Sequence, residues 1–202
     1  MFTRPQQKEI IAGIEQLMHG LFGACWKKDA NFKGTPERVM RAYQEILEYQ
    51  DYHKKSTALK KCFESMFPSK HSDIIFAPNI TAFSMCPHHL LPVTYNMTIA
   101  YIPSKKGNVI GASKLERVAR IIAADAILQE DLTHNIAQVI SEYLTPEGVA
   151  VVTSGVHDCM RVRGIKTQGT FEVSTMRGSF KDNIDTRAEF YSLLQLAELR
   201  RK

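Results

Sequence analysis

The stretch TYNMTIAYIPSKKGNVIGASKLERVARII, residues 94–122, decides the fold class. Tyr95, Met97, Ile99 and Tyr101 alternate with Thr94, Asn96, Thr98 and Ala100, the period of two of a strand with one face on a core. Lys105-Lys106-Gly107-Asn108 predicts a turn, and Val109-Ile110 resumes the extended pattern. At Ser113 the period changes to that of a helix, with Leu115, Val118 and Ile122 as its apolar face. Ser113 and Glu116 match the capping box, in which each side chain satisfies a free N–H of the first turn.

Working outward, 74–77 and 80–85 read as strands, and a second helix runs through Leu132, Ile136, Val139, Ile140 and Tyr143 until Thr145-Pro146-Glu147-Gly148 stops it. Residues 149–153 form a continuous apolar strand leading to His157 and Cys159; 170–176 is a further strand and 186–199 a helix. Before residue 73 the pattern is helical. Ile10, Ile14, Leu17, Leu21 and Phe22 keep a helical period, and Thr35-Pro36 reads as an N-cap and first-turn proline for a helix with Val39, Tyr43, Ile46 and Leu47 on one face. Residues 51–72 are rich in Lys and Ser and read as a connection with a short helix at 59–67. Adjacent strands with short connections favour antiparallel pairing, so the class is α+β. The expected division is an N-terminal helical region, 1–72, and a second region, 73–202, that ends in a helix.

The composition sets bounds. At 202 residues with 44% hydrophobic and 23% charged residues, the chain has ordinary globular values and enough length for one full core. No apolar run approaches the ~18 residues of a membrane span, and MFTRPQQKEII lacks the apolar core of a signal peptide, so a cytoplasmic protein with no membrane partner is expected. In that compartment the four cysteines are expected reduced, metal-bound or buried. The net charge of +5 favours an anionic partner. The basic residues are spread out, with neither an aromatic-basic RNA signature nor paired CxxC fingers, so a nucleic-acid partner is not expected.

Two clusters carry donor atoms for chemistry: Ser84-Met85-Cys86-Pro87-His88-His89 and His157-Asp158-Cys159. Thiolate and imidazole together suit zinc; three protein ligands leave a catalytic position open, four close the site. A single Cys or His at a strand end is most often a packing or surface residue, but two such clusters favour a metal. Cys86 and His89, three apart in a loop, offer a workable bite, and Cys159 supplies a third ligand from its strand. His88 and His157 then remain as unligated imidazoles for proton transfer. Cys25 and Cys62 sit in apolar helical contexts and read as packing residues. Ser113, Lys114 and Arg117 in the first turn of a helix suit phosphate, although taken alone a capped helix with a solvated charged face explains them better. Arg161, Arg163 and Lys166 form a further cationic group, with Arg161 and Arg163 on the face of Cys159 if the strand continues. Gln129-Glu130 offers a carboxylate that accepts from purine N–H groups.

Taken together these pieces resemble the GTP cyclohydrolase I family. The matching segments, in family order, are GTPERVMRAYQEIL (34–47), SMCPHHLLP (84–92), IAYIPSKKGNVIGASKLERVARI (99–121), LQEDLT (128–133), PEGVAVV (146–152), HDCMRVRGI (157–165), STMRGSF (174–180) and DTRAEFYSLL (185–194). The resemblance implies the tunnelling fold, an antiparallel sheet backed by two helices, here with an N-terminal helical extension. It implies assembly into a decamer of two pentamers, with active sites at subunit boundaries. It implies Zn2+ held by Cys86, His89 and Cys159, and His88 and His157 as acid–base groups. It implies Gln129 and Glu130 at the guanine, and Ser113, Lys114, Arg117 and Arg163 around the ribose and triphosphate. The implied reaction opens the imidazole ring of GTP at C8, releases formate and forms 7,8-dihydroneopterin triphosphate. Pro87 stands where the family has Glu, and Asp125 and Ile127 stand where a basic residue and a Gln are usual. These departures keep two other readings in view: a homologue acting on a related purine nucleotide, and a zinc-bound oligomeric nucleotide-binding protein with weak or no turnover.

Overall fold

A computed structural model describes residues 2–105 and 107–200. By its internal contacts the chain divides into two units, the first ending at Glu48 and the second beginning at Tyr49.

In the first unit, helix α1 (Arg4–Phe22) starts at a capping box in which Thr3 N–H donates to Gln6 Oε1 at 2.9 Å. Its buried side is Ile14 and Met18, while Leu17, Leu21 and Phe22 are exposed. The helical period was right, but the buried stripe is rotated toward Met18, because the residues it packs on are Trp26 of a short 3-10 turn and Met40 of α2 (Thr35–Ile46). Thr35 is the first helical residue of α2 rather than its cap; Gly34, at φ 72°, occupies the cap position in a conformation that glycine adopts without strain. Cys25 is exposed on the 3-10 turn and is not a packing residue.

The second unit opens with α3 (Tyr52–Phe63), capped by Asp51, whose carboxylate accepts from Lys54 N–H at 2.7 Å. This helix lies where the sequence suggested a connection. Leu59, Cys62 and Phe63 anchor it in the core, too few apolar positions to show a period. Strand β1 (Met66–Pro68) follows, then β2 (Ile75–Met85), β3 (Pro92–Ile102), β4 (Asn108–Ile110), α4 (Ala112–Ala123), α5 (Gln129–Leu144), β5 (Gly148–His157), the short α6 (Asp158–Arg161), β6 (Phe171–Gly178), the short α7 (Ser179–Asp182) and α8 (Ile184–Leu199). The two strand-like pieces upstream of residue 86 are thus one strand, with a register shift between Ala77 and Ile80. Asn79 takes up that shift at φ 60°. β1 and β4 form a separate antiparallel pair. Of the turn expected at 105–108, Lys106 lies outside the described residues.

The main sheet has the order β2-β3-β5-β6, antiparallel throughout, so the α+β reading holds. The alternation in β3 is borne out: Tyr95, Met97, Ile99 and Tyr101 enter one core with Leu115, Val118 and Ile122 of α4 and Leu132, Ile136 and Ile140 of α5. Ala100 and Ile102 point to the other face, under Phe180 and Phe190 from the C-terminal helices. Burying these rings and branched chains contributes about 1.5–3 kcal/mol each. The fold therefore holds the ends of β2 and β5 rigidly against the start of α5. No helix among the described residues is long and apolar enough to cross a membrane.

Candidate metal and catalytic site

Val93, the second residue of β3, pairs with His157, the last of β5, and Met85, the last of β2, pairs with Pro92. This register brings the two donor clusters to one end of the sheet. Cys86 Sγ lies 3.7 Å from His89 Nδ1 and 3.8 Å from Cys159 Sγ. All three donor atoms fall within 4.8 Å of one another. A tetrahedral zinc with Zn–S near 2.3 Å and Zn–N near 2.05 Å separates its ligands by about 3.6–3.8 Å. The sulfur separation is nearly twice a disulfide bond length, so the two thiols are not an oxidised pair. Burial, and then the Cys86 sulfur, push the Cys159 thiol pKa up. Two thiolates at such a distance repel, and a divalent cation removes that cost. The residues present fit zinc.

The loop that carries two of these donors is a tight turn. Cys86 C=O accepts from His89 N–H at 3.4 Å and from Leu90 N–H at 2.9 Å, and Cys86 N–H donates to Leu91 C=O at 2.9 Å. Leu90 takes the left-handed conformation, φ 51°. Pro87 occupies the second turn position, where its fixed φ is favourable and no N–H is required. Cys159, by contrast, does not come from a strand. β5 ends at His157, and Asp158–Arg161 turn helical, so Cys159 reaches the cluster from α6. The expectation that Arg161 and Arg163 share a strand face with it is therefore overturned; Arg161 ends α6, Arg163 follows it, and both are exposed. Arg163 still lies near enough to lower the Cys159 pKa by its charge.

Gln129 organises the neighbouring histidine. This side chain is 1% exposed. Its amide nitrogen donates to Thr153 C=O at 2.9 Å and to Phe171 C=O at 2.8 Å, with Thr153 Oγ1 at 3.0 Å. Two carbonyl acceptors fix which end of the amide carries the hydrogens, so Oε1 must accept from His157 Nε2 at 2.8 Å. His157 therefore carries its proton on Nε2 and presents Nδ1 as acceptor. Burial, opposed by the Glu130 carboxylate, lowers its pKa and shifts the balance toward the neutral ring. Thr133 Oγ1 bonds Gln129 C=O and Thr153 Oγ1, each at 2.7 Å, and completes the network. Sequence reasoning missed this role for Gln129 and both threonines, because residues 129, 153 and 171 meet only through sheet and helix packing. His88, exposed, lies with its ring 6.2 Å from that of His89.

A family profile described as GTP cyclohydrolase I matches residues 14–195. The chain belongs to the GTP cyclohydrolase I family. It is 41% identical over 168 residues to the GTP cyclohydrolase 1 of Pelotomaculum thermopropionicum, covering 81% of this chain and 84% of that one. It is 37% identical over 190 residues to the GTP cyclohydrolase 1 of a Hydrogenobaculum species, covering 94% and 98%. A crystal structure of an archaeosine synthase QueF-Like in the apo form overlaps 55% of this chain and 96% of its own at 17% identity and TM-score 0.39, a level that establishes nothing about this one. The four-stranded antiparallel sheet backed by α4 and α5 is consistent with the tunnelling fold of the GTP cyclohydrolase I family.

Within one chain Ser113, at the start of α4, stands apart from the metal cluster, whereas Arg163 lies near Cys159. Asp125, just past the C-terminal end of α4, bonds Met85 beside Cys86. Ser113 lies ten residues before Ala123, about 15 Å along the helix axis. Lys114 and Arg117 instead lie close enough to Cys62 of α3 to lower its pKa, against a larger rise from burial. The capping box expected at Ser113 does not form, because the cap lies two residues earlier, at Gly111; Ser113 is left exposed. Glu130, exposed in the first turn of α5, stays near His157.

Proposed function

We propose that the protein is a zinc-dependent, cytoplasmic GTP cyclohydrolase I, which hydrolyses GTP at C8, releases formate and forms 7,8-dihydroneopterin triphosphate. The observation that carries the reading is the Cys86–His89–Cys159 triplet at zinc-ligand spacing beside a histidine whose Nε2 is bonded to Gln129. Membership of the family supplies the substrate. When bound, zinc contributes Lewis acidity and lowers the pKa of water toward neutrality.

The chain's own groups do the rest. His157 offers Nδ1 to take and return protons while Gln129 holds Nε2–H, and His88 is the second acid–base group. Glu130 accepts from the guanine N–H groups; the amide of Gln129 has its hydrogen bonds within the chain and serves by holding His157. Lys114, Arg117 and Arg163, with the Ser113 hydroxyl, neutralise the triphosphate and orient the ribose. All these groups belong to the region 73–202, which we take as catalytic, with 1–72 as an accessory helical region.

The separation between Ser113 and Cys86 supports a site completed between subunits, in which one copy supplies the metal cluster and another the α4 N-terminus. β2 and β6 form the two edges of the sheet, and an assembly of such sheets into pentamers that stack as a decamer covers those edges. The test is a GTP assay for formate and for neopterin fluorescence after oxidation, with zinc analysis of the same sample. Stoichiometric zinc with formate release is expected. No formate from zinc-replete protein overturns the reading, and ring opening without pterin points to the homologue with altered chemistry.

A further inference from the structure

The α4–α5 connection is tied to the strand end that bears Cys86. Met85 N–H donates to Asp125 C=O at 3.2 Å, and Ile127 N–H donates to Met85 C=O at 3.3 Å. This makes an isolated parallel bridge between Met85 and Ala126. Met85 is 1% exposed and immediately precedes Cys86. The backbone of Cys86 is thus held from two directions: by Leu91 across its own turn, and through Met85 by residues 125–127.

The Asp125 carboxylate adds side-chain bonds to the backbone ones that hold residues 125–127. Asp125 Oδ1 accepts from Ala126 N–H at 2.7 Å and caps the turn, while Oδ2 forms an ion pair with Lys55 Nζ from the first turn of α3. Both side chains are about one-fifth exposed, at 20% and 21%, so the pair is sheltered from screening more than a surface bridge. Tyr49 N–H adds a bond to Ala124 C=O at 3.0 Å from the same N-terminal side.

We propose that Lys55 and Asp125 are positioning residues for the metal ligand Cys86. Asp125 acts on Cys86 through Met85, and Lys55 acts by fixing the Asp125 carboxylate. Lys55 and Asp125 are seventy residues apart in sequence, and neither is one of the three donor residues. The inference rests on the metal reading of Cys86, His89 and Cys159.

The experiment uses the full-length protein and two readouts besides activity: Zn2+ affinity by chelator competition, and the absorption of the Co2+-loaded protein, whose d–d and thiolate-to-cobalt bands report ligand geometry. Asp125→Asn keeps the Oδ1 cap and removes the charge; Lys55→Met keeps the stem and removes the charge; Lys55→Arg is the conservative rescue. Residues that orient metal ligands typically change affinity 10–100-fold. One bond further out, Lys55→Met and Asp125→Asn are each expected to weaken Zn2+ binding about 10-fold and shift the cobalt bands. The double variant should be no weaker than either single one, and Lys55→Arg should bind as the parent does. Unchanged affinity and bands in Lys55→Met overturn the proposal, whatever happens to thermal stability. Should Asp125→Asn fail to fold, the comparison of Lys55→Met with Lys55→Arg decides. A parent protein that binds neither ion, or a Cys159→Ala variant that binds as the parent does, overturns the metal reading itself.

Discussion

Replacing Gly155 by alanine tests the arrangement around His157 without touching any proposed catalytic group. Gly155 lies on β5 between Thr153 and His157, opposite Tyr95 of β3, in ordinary extended backbone. A Cβ there would overlap Gln129 Oε1 outright and come to 3.0 Å from both Gln129 Cδ and Tyr95 Cε1. Carbon atoms rest at about 3.5–4.0 Å, so amide and ring must each retreat by at least about 0.5 Å, the amide oxygen by more. Tyr95 and Gln129 are each 1% exposed, with no free space to retreat into. The bond from His157 at 2.8 Å is therefore lost, and those to Thr153 and Phe171 are strained. A buried polar group that loses its partner costs about 1–3 kcal/mol, and overpacking adds a comparable amount. The expected loss is about 2–4 kcal/mol, or a Tm lower by roughly 5–15 °C for a chain this size. A catalytic ring displaced by about 1 Å commonly costs about 100-fold in turnover. The assay is formate release under saturating GTP, paired with thermal unfolding and zinc content. Zinc content should be unchanged, because Gln129 is not among the three donor residues. A Gly155→Ala protein with parental Tm and turnover would refute the placement of Gln129 and the orientation it gives His157.

Four further outcomes follow from the same geometry. Cys159→Ala should abolish both zinc binding and turnover, checked by metal analysis after gel filtration; retained zinc would reassign the ligands. Pro87→Glu should leave zinc bound while lowering stability by about 0.4–1 kcal/mol, since proline presets the turn between Cys86 and His89; chemical unfolding and metal content read the two effects separately. Alkylation of the native protein should label Cys25 rapidly and spare Cys62, which is 4% exposed and whose thiol burial pushes up; peptide mass mapping distinguishes the two. Tyr95 has its pKa raised to about 12, first by burial. A raised folded-state value stabilises the fold below the ordinary phenol pKa near 10 and is lost as pH climbs through 12, so Tyr95→Phe should flatten the fall in stability between pH 10 and 12.

The residue pattern determined a good deal here. The alternation at Tyr95–Tyr101 and the helical periods of Leu115–Ile122 and Leu132–Ile140 are local properties, and each came out buried on the face its period assigned. Cys86 and His89 share one short turn, so their joint approach to a metal is also local. Other features were out of reach because they depend on residues distant in sequence. Leu17 and Leu21 keep a helical period yet face outward, since the position of α2 and the 3-10 turn selects Met18 instead. α3 is anchored by only Leu59, Cys62 and Phe63, and its ion pair to Asp125 spans seventy residues. Cys159 was expected on a strand, but the backbone turns helical at Asp158 and carries it to within 3.8 Å of Cys86 from another direction. The tautomer of His157 required Gln129, Thr153 and Phe171 to be brought together by three separate elements. Periodicity and short-range spacing are encoded within a few residues of one another, so sequence alone determines them. The meeting of distant side chains depends on strand register and helix docking, and only the packed structure decides it.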